Sequence, residues 1–141
     1  MAKNTEWEAA EDEFYHAFNQ GKELYCHRFL DTRDTTRVVN QRGDLFGRKV
    51  TVKVPSQPAD FIVVTKRGTY FADVKTTTST RGISSSLFSQ QKAHKIKILN
   101  AGGLYFFFIK RLQTGQWYML PGNFDNLNAK WEDLEKFRVD I

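Results

Sequence analysis

The apolar residues of the chain change their period several times, and each change marks an element. Trp7, Ala10, Phe14, Ala17 and Phe18 recur at spacings of three and four, which predicts a helix over 5–20 with one apolar stripe. Thr5 is placed to cap it, with Glu8 three residues on as in a capping box, and Gly21 to stop it. KVTVKV at 49–54 alternates strictly and predicts a half-buried strand. FIVV, a turn at KRG, then TYFADV predict a buried hairpin between 61 and 74. LFSQQKAHKIKILNAGG, 87–103, predicts a second helix that ends at Gly102 and Gly103. LYFFFIK, 104–110, is apolar without alternation, as a strand covered on both faces is. GQWYMLP predicts a further strand and NAKWEDLEKF a closing helix. The polar stretch 31–48 reads as a turn-rich loop or a short, poorly protected hairpin, and 76–86 as a flexible connection. Helix, three strands, helix, strand and a small tail make a mixed sheet flanked by helices, in the α/β class.

Composition narrows the class. A chain of 141 residues suits one domain over 1–141. Its 40% hydrophobic content, with 12 Phe and 3 Trp, supplies a core and excludes wholesale disorder. No apolar run approaches the roughly 20 residues that span a bilayer, and the first residues form no apolar signal region. The single cysteine, Cys26, excludes an internal disulfide and a cysteine-rich zinc site. The expectation is a soluble cytoplasmic protein with no membrane partner. The net charge of +5 is unevenly spread: residues 1–20 carry −4, leaving +9 on the others. A basic body of this kind suits a polyanion, although many proteins of similar pI have no such partner.

The hairpin PADFIVVTKRGTYFADVK, 58–75, carries the candidate chemistry. Asp60, Asp73 and Lys75 stand at the ends of strands that otherwise belong inside, and an unpaired buried carboxylate is expensive. Strand alternation puts Asp73 and Lys75 on one face. A turn centred between Arg67 and Gly68 places Asp60 across from Lys75 and diagonal to Asp73, within about 8 Å. Two adjacent carboxylates raise each other's pKa, a penalty that a hard cation such as Mg²⁺ removes. Lys75 is placed to hold a water or a phosphate oxygen. The chemistry that fits is phosphodiester hydrolysis. The plainer alternative is that Asp60 caps a turn and Asp73 pairs with Lys75, an ion pair worth little.

PAD at 58–60 followed by DVK at 73–75 resembles the signature of the PD-(D/E)XK nuclease superfamily. Gln91, Ile98 and the Gly102-Gly103 pair are similar to the next helix in its RecU-type Holliday junction resolvase and VRR-NUC groups, and RFLDT at 28–32 to a stretch upstream of the first acid. The resemblance spans about residues 8–112. It implies a restriction-endonuclease-like αβββαβ core and Mg²⁺-dependent DNA cleavage, with Mn²⁺ able to substitute. It makes Asp60 and Asp73 metal ligands, joined by the Val74 carbonyl, with Lys75 catalytic and Gln91 orienting phosphate or water. Family members often add an acid from the first helix. Glu11, at the border of the apolar stripe, is favoured here over Glu13. Asp73 stands where Glu is the commoner family residue, and no long stalk-like insertion is visible.

Arg81 and Lys92, flanking Gln91, with Lys95, Arg33 and Arg37, are the expected DNA contacts, in competition with a merely solvated basic face. Within the superfamily the expectation is a structure-selective junction resolvase acting on branched DNA as a homodimer, since two symmetric strands must be cut. The alternatives are another nuclease of the same fold, cutting flaps, ends or duplex, and a DNA-binding module without cleavage.

Overall fold

In the computed structural model, residues 6–29, 57–88 and 92–141 are described, Lys92 by its backbone alone. The N-terminal stripe folds as α1, Glu6–Ala17, with Ala10 and Phe14 buried. Phe14 is the hub of its packing, with the rings of Phe18, Phe61, Phe108 and Trp117 between 4.5 and 6.3 Å away. Truncating such a buried ring costs about 3–5 kcal/mol. Gly21 follows at φ 85°, a left-handed conformation that suits glycine.

Among the described residues six strands form one mixed sheet in chain order: β1 Tyr25–Arg28, β2 Phe61–Thr65, β3 Gly68–Thr77, β4 Tyr105–Arg111, β5 Gln116–Pro121 and β6 Arg138–Val139. β3 and β4 are parallel, and every other neighbouring pair is antiparallel. A short 3₁₀ turn, Ser85–Phe88, and α2, Lys92–Asn100, lie between β3 and β4. α2 ends in a Schellman motif: Gly103 N–H bonds Ile98 C=O at 2.9 Å, Gly102 N–H bonds Leu99 C=O at 3.0 Å, and Gly102 has φ 86°.

Two apolar layers cover the sheet. On one face α1 packs over Phe61, Val63, Ala72, Val74, Phe108 and Trp117. On the other, Tyr105, Phe107, Ile109, Tyr118 and Leu120 meet Ile83, Phe88, Trp131 and Leu134. β4 is therefore covered on both faces, as its continuous apolar run predicts.

The strand expected at 49–54 lies outside the described residues. Other expectations need correction. On the side away from β3, β2 pairs with β1, four residues of which only Cys26 is buried. The closing segment is a 3₁₀ helix, Trp131–Phe137, followed by the short β6. The connection after β3 is tied down. Ile83 N–H bonds Ala129 C=O, Trp131 N–H bonds Arg81 C=O, both at 3.0 Å, and Trp131 Nε1–H donates to Ser79 C=O at 2.9 Å. Gly82 makes this seam: a Cβ there would collide with the Ala129 backbone.

Candidate functional site

The turn between β2 and β3 has only two residues, Lys66 and Arg67, because Thr65 pairs with Gly68. The register is therefore two residues tighter than expected. Phe61 pairs with Ala72, so the next residue out, Asp60, faces Asp73 rather than Lys75. β2 stops there while β3 runs on to Thr77, leaving the Val74 N–H without a strand partner on that side. Asp60 fills the gap, its Oδ2 accepting the Val74 N–H at 2.8 Å. Asp73 returns the contact, its Oδ1 accepting the Asp60 N–H at 3.1 Å. Asp73 thus braces the Asp60 backbone, and Asp60 braces the Val74 N–H next to Asp73. The Asp60 carbonyl accepts the Phe29 N–H at 2.9 Å, which ties the chain just past β1 to the same corner.

Asp73 is 1% exposed, the one buried charged side chain among the described residues. Besides Asp60 it meets the Tyr105 hydroxyl, 2.9 Å from Oδ2, and the Lys75 ammonium, Nζ 3.9 Å from the same oxygen. The Tyr105 hydroxyl is also 3.2 Å from the Pro58 carbonyl. Its single proton serves the nearer, charged acceptor better. Burial pushes the Asp73 carboxyl above the usual carboxylate range, against the pull of Lys75, Tyr105 and Asp60. Burial and the neighbouring Asp73 charge push the Tyr105 phenol up as well.

Asp60, Asp73 and Lys75 are thus brought together. Val74 takes part through its backbone: a strand residue's N–H and C=O point the same way, so its carbonyl opens toward Asp60. Glu11 is half-buried on α1, which packs against the opposite face of the sheet. Among the described residues no three or more His, Cys, Asp or Glu side chains gather as metal ligands. Glu13 is engaged elsewhere, with Lys110 Nζ at 2.6 Å and Trp117 Nε1 at 3.1 Å. Lys95 reaches over the Phe107 ring, 5.4 Å from its centroid, and Phe107 is the β4 neighbour of Asp73. Arg81 is exposed on the seam with Trp131. Gln91, Arg33 and Arg37 lie outside the described residues, as does the Lys92 side chain.

Tyr105 is the site residue that sequence reasoning missed. It opens an apolar run, and its link to Asp73 depends on the parallel pairing of β3 with β4, which no local pattern records.

Two carboxylates and a backbone carbonyl form an all-oxygen donor set, the kind that a hard divalent cation takes. A cation there would also relieve the cost of holding Asp73 ionised in a buried place, so the residues present fit one. Compared with models of known protein families the chain matches none, and no curated protein matches it.

Proposed function

We propose that the protein is a divalent-metal-dependent endonuclease that hydrolyses phosphodiester bonds in DNA, with a four-way junction as its substrate and two copies of the chain acting together. The observation that carries this is the Asp60–Asp73 pair, set face to face at the end of β2 with the Lys75 ammonium beside it. Further support comes from the element order: helix, three antiparallel strands, helix, then a strand parallel to the third. That order suits the PD-(D/E)XK resemblance. The basic balance of the chain suits a polyanion.

Asp60, Asp73 and the Val74 carbonyl would hold the cation, which supplies charge neutralisation at the scissile phosphate and a more acidic bound water. Lys75 does the protein's share of the work at the substrate. Its side chain is 16% exposed and its ion pair with Asp73 is long at 3.9 Å, so the ammonium retains donors to orient a phosphate oxygen or the attacking water. Tyr105 fixes the Asp73 carboxylate from behind. A second reading, a DNA-binding module without cleavage, is favoured by one observation: both aspartates already serve the backbone.

The test is cleavage of a labelled four-way junction beside a linear duplex of the same sequence, with Mg²⁺ or EDTA. Wild type is compared with Asp73→Asn and Lys75→Met, each first shown to be folded. Paired symmetric cuts in the junction, abolished by EDTA and by either substitution, are expected. Cutting of both substrates would discard the junction preference. Binding without cutting, unchanged by metal, would replace the enzyme with the binding module.

A further inference from the structure

Arg111 closes β4 on the same face as Asp73 and Lys75. Its Cα neighbours are Thr77 on β3 and Gln116 on β5. Its guanidinium lies over the Trp131 ring, 5.0 Å from the centroid. That ring is itself fixed: it is 6% exposed, its Nε1–H is bound to Ser79 C=O, and Tyr118 packs 5.0 Å away. Yet among the described residues no carboxylate pairs with Arg111. Its Nε is buried with no hydrogen-bond partner. The Gln116 Oε1 beside it faces Thr114 and Tyr118 instead, each at 3.2 Å. A buried donor left unsatisfied is a net cost, and a cation held flat on an aromatic platform is pre-organised for an anion. Arg111 is only half-buried, which leaves the outer nitrogens of its fork as the part able to meet a ligand.

Position supplies the ligand class. Lys75 pairs with Ile109, two residues before Arg111. With strands about 4.8 Å apart and a rise of about 3.3 Å per residue, Lys75 and Arg111 have Cα atoms about 8 Å apart. Successive phosphates of one DNA strand advance about 3.4 Å along the axis. We infer that Arg111, seated on Trp131, is a phosphate subsite that holds the DNA strand about two nucleotides from the phosphate at Lys75. The inference rests on the DNA reading above but not on cleavage.

The test is binding of a labelled four-way junction in EDTA across a salt series, which reads contacts without chemistry. Each phosphate contact adds about 0.9 to the slope of log affinity against log salt. Arg111→Met keeps the stem, removes the unsatisfied Nε and the charge, and is expected to lower that slope by about 0.9. Between about 50 and 200 mM salt the wild type then loses about 3.5-fold more affinity than the variant, a fourfold salt change raised to that power. Arg138→Gln, at a residue paired with Glu135, controls for net charge and should leave the slope unchanged. Arg111→Gln is the second variant if the first does not fold. A slope equal to wild type in a folded Arg111 variant overturns the assignment, as does an equal drop in the Arg138 control. Loss of folding in both Arg111 variants makes it a packing residue and overturns it too, as does a wild type that binds no DNA. A lowered slope with no Mg²⁺-dependent cutting keeps the subsite and sinks only the nuclease.

Discussion

Removing one oxygen atom from Tyr105 should reveal how the Asp73 charge is held. Tyr105→Phe keeps the ring, which is 2% exposed and packs against Phe107 with centroids 5.5 Å apart. What it deletes is the 2.9 Å donor to Asp73 Oδ2 and the 3.2 Å contact to the Pro58 carbonyl. A hydrogen bond to a charged group is worth about 1.5–3 kcal/mol, and the nearest replacement is Lys75 at 3.9 Å. A loss of about 2 kcal/mol at neutral pH follows, or a Tm drop of about 4–8 °C for a chain of this length. The pH dependence carries the sharper signature. The folded pKa of Asp73 is raised above its unfolded value by burial. Its contribution is therefore fully present below the unfolded pKa, about 3.9, and is lost as pH rises through the folded pKa. Deleting a donor to the ionised form raises the folded pKa further and deepens that loss. The Tyr105→Phe penalty should thus be largest at neutral pH and shrink as pH falls through the raised folded pKa toward the unfolded value of about 3.9. Thermal unfolding in EDTA across that range measures it. A penalty of the same size at every pH, or none at pH 7, would show that the hydroxyl does not serve the Asp73 charge.

Two further outcomes are expected. Asn19→Ala removes a side-chain amide that bonds both the N–H and C=O of Cys26, at 2.9 and 3.0 Å, and the Tyr15 carbonyl at 3.1 Å. It leaves β1 with an open edge and should cost about 1–2 kcal/mol, read as a lower Tm; an unchanged Tm would mean that the edge needs no cover. The Cys26 thiol, pushed up to about 12 chiefly by burial, is about one part in 10⁴ thiolate at pH 8, far below a free cysteine. A disulfide-exchange reagent should label it only after unfolding, and rapid labelling of the native protein would refute its burial.

The periods that span a whole element were legible in sequence: the stripe of α1, the unbroken run of β4 and the glycine pair that ends α2. Each rests on contacts that repeat along a single segment. What was not legible depends on one residue or on pairing between distant segments. Thr65 closing directly on Gly68 moved the register and set Asp60 opposite Asp73, a change that composition does not signal. β1 turns only Cys26 inward, too little to show a period. Tyr105 reaches Asp73 across a parallel pair joined by a crossover, and Trp131 finds Arg111 and Ser79 from near the end of the chain. Of the candidate site, the presence of two acids and a lysine was readable, while their order in space and the phenol behind them were not.

The mutual bracing of Asp60 and Asp73 bears on how this protein could change over evolutionary time. The Asp73 carboxylate holds the Asp60 N–H and the Asp60 carboxylate holds the Val74 N–H, so replacing either one releases the end of β2 whether or not any bond is being cut. On the nuclease reading proposed above, a descendant that lost cleavage would still be selected, for folding alone, to keep both acids. Lys75 stands differently: among the described residues it braces no main chain, and its ion pair with Asp73 is long at 3.9 Å. Among related chains, a retained aspartate pair would therefore record ancestry of the fold, and drift at the lysine would be the first mark of a copy that had given up chemistry.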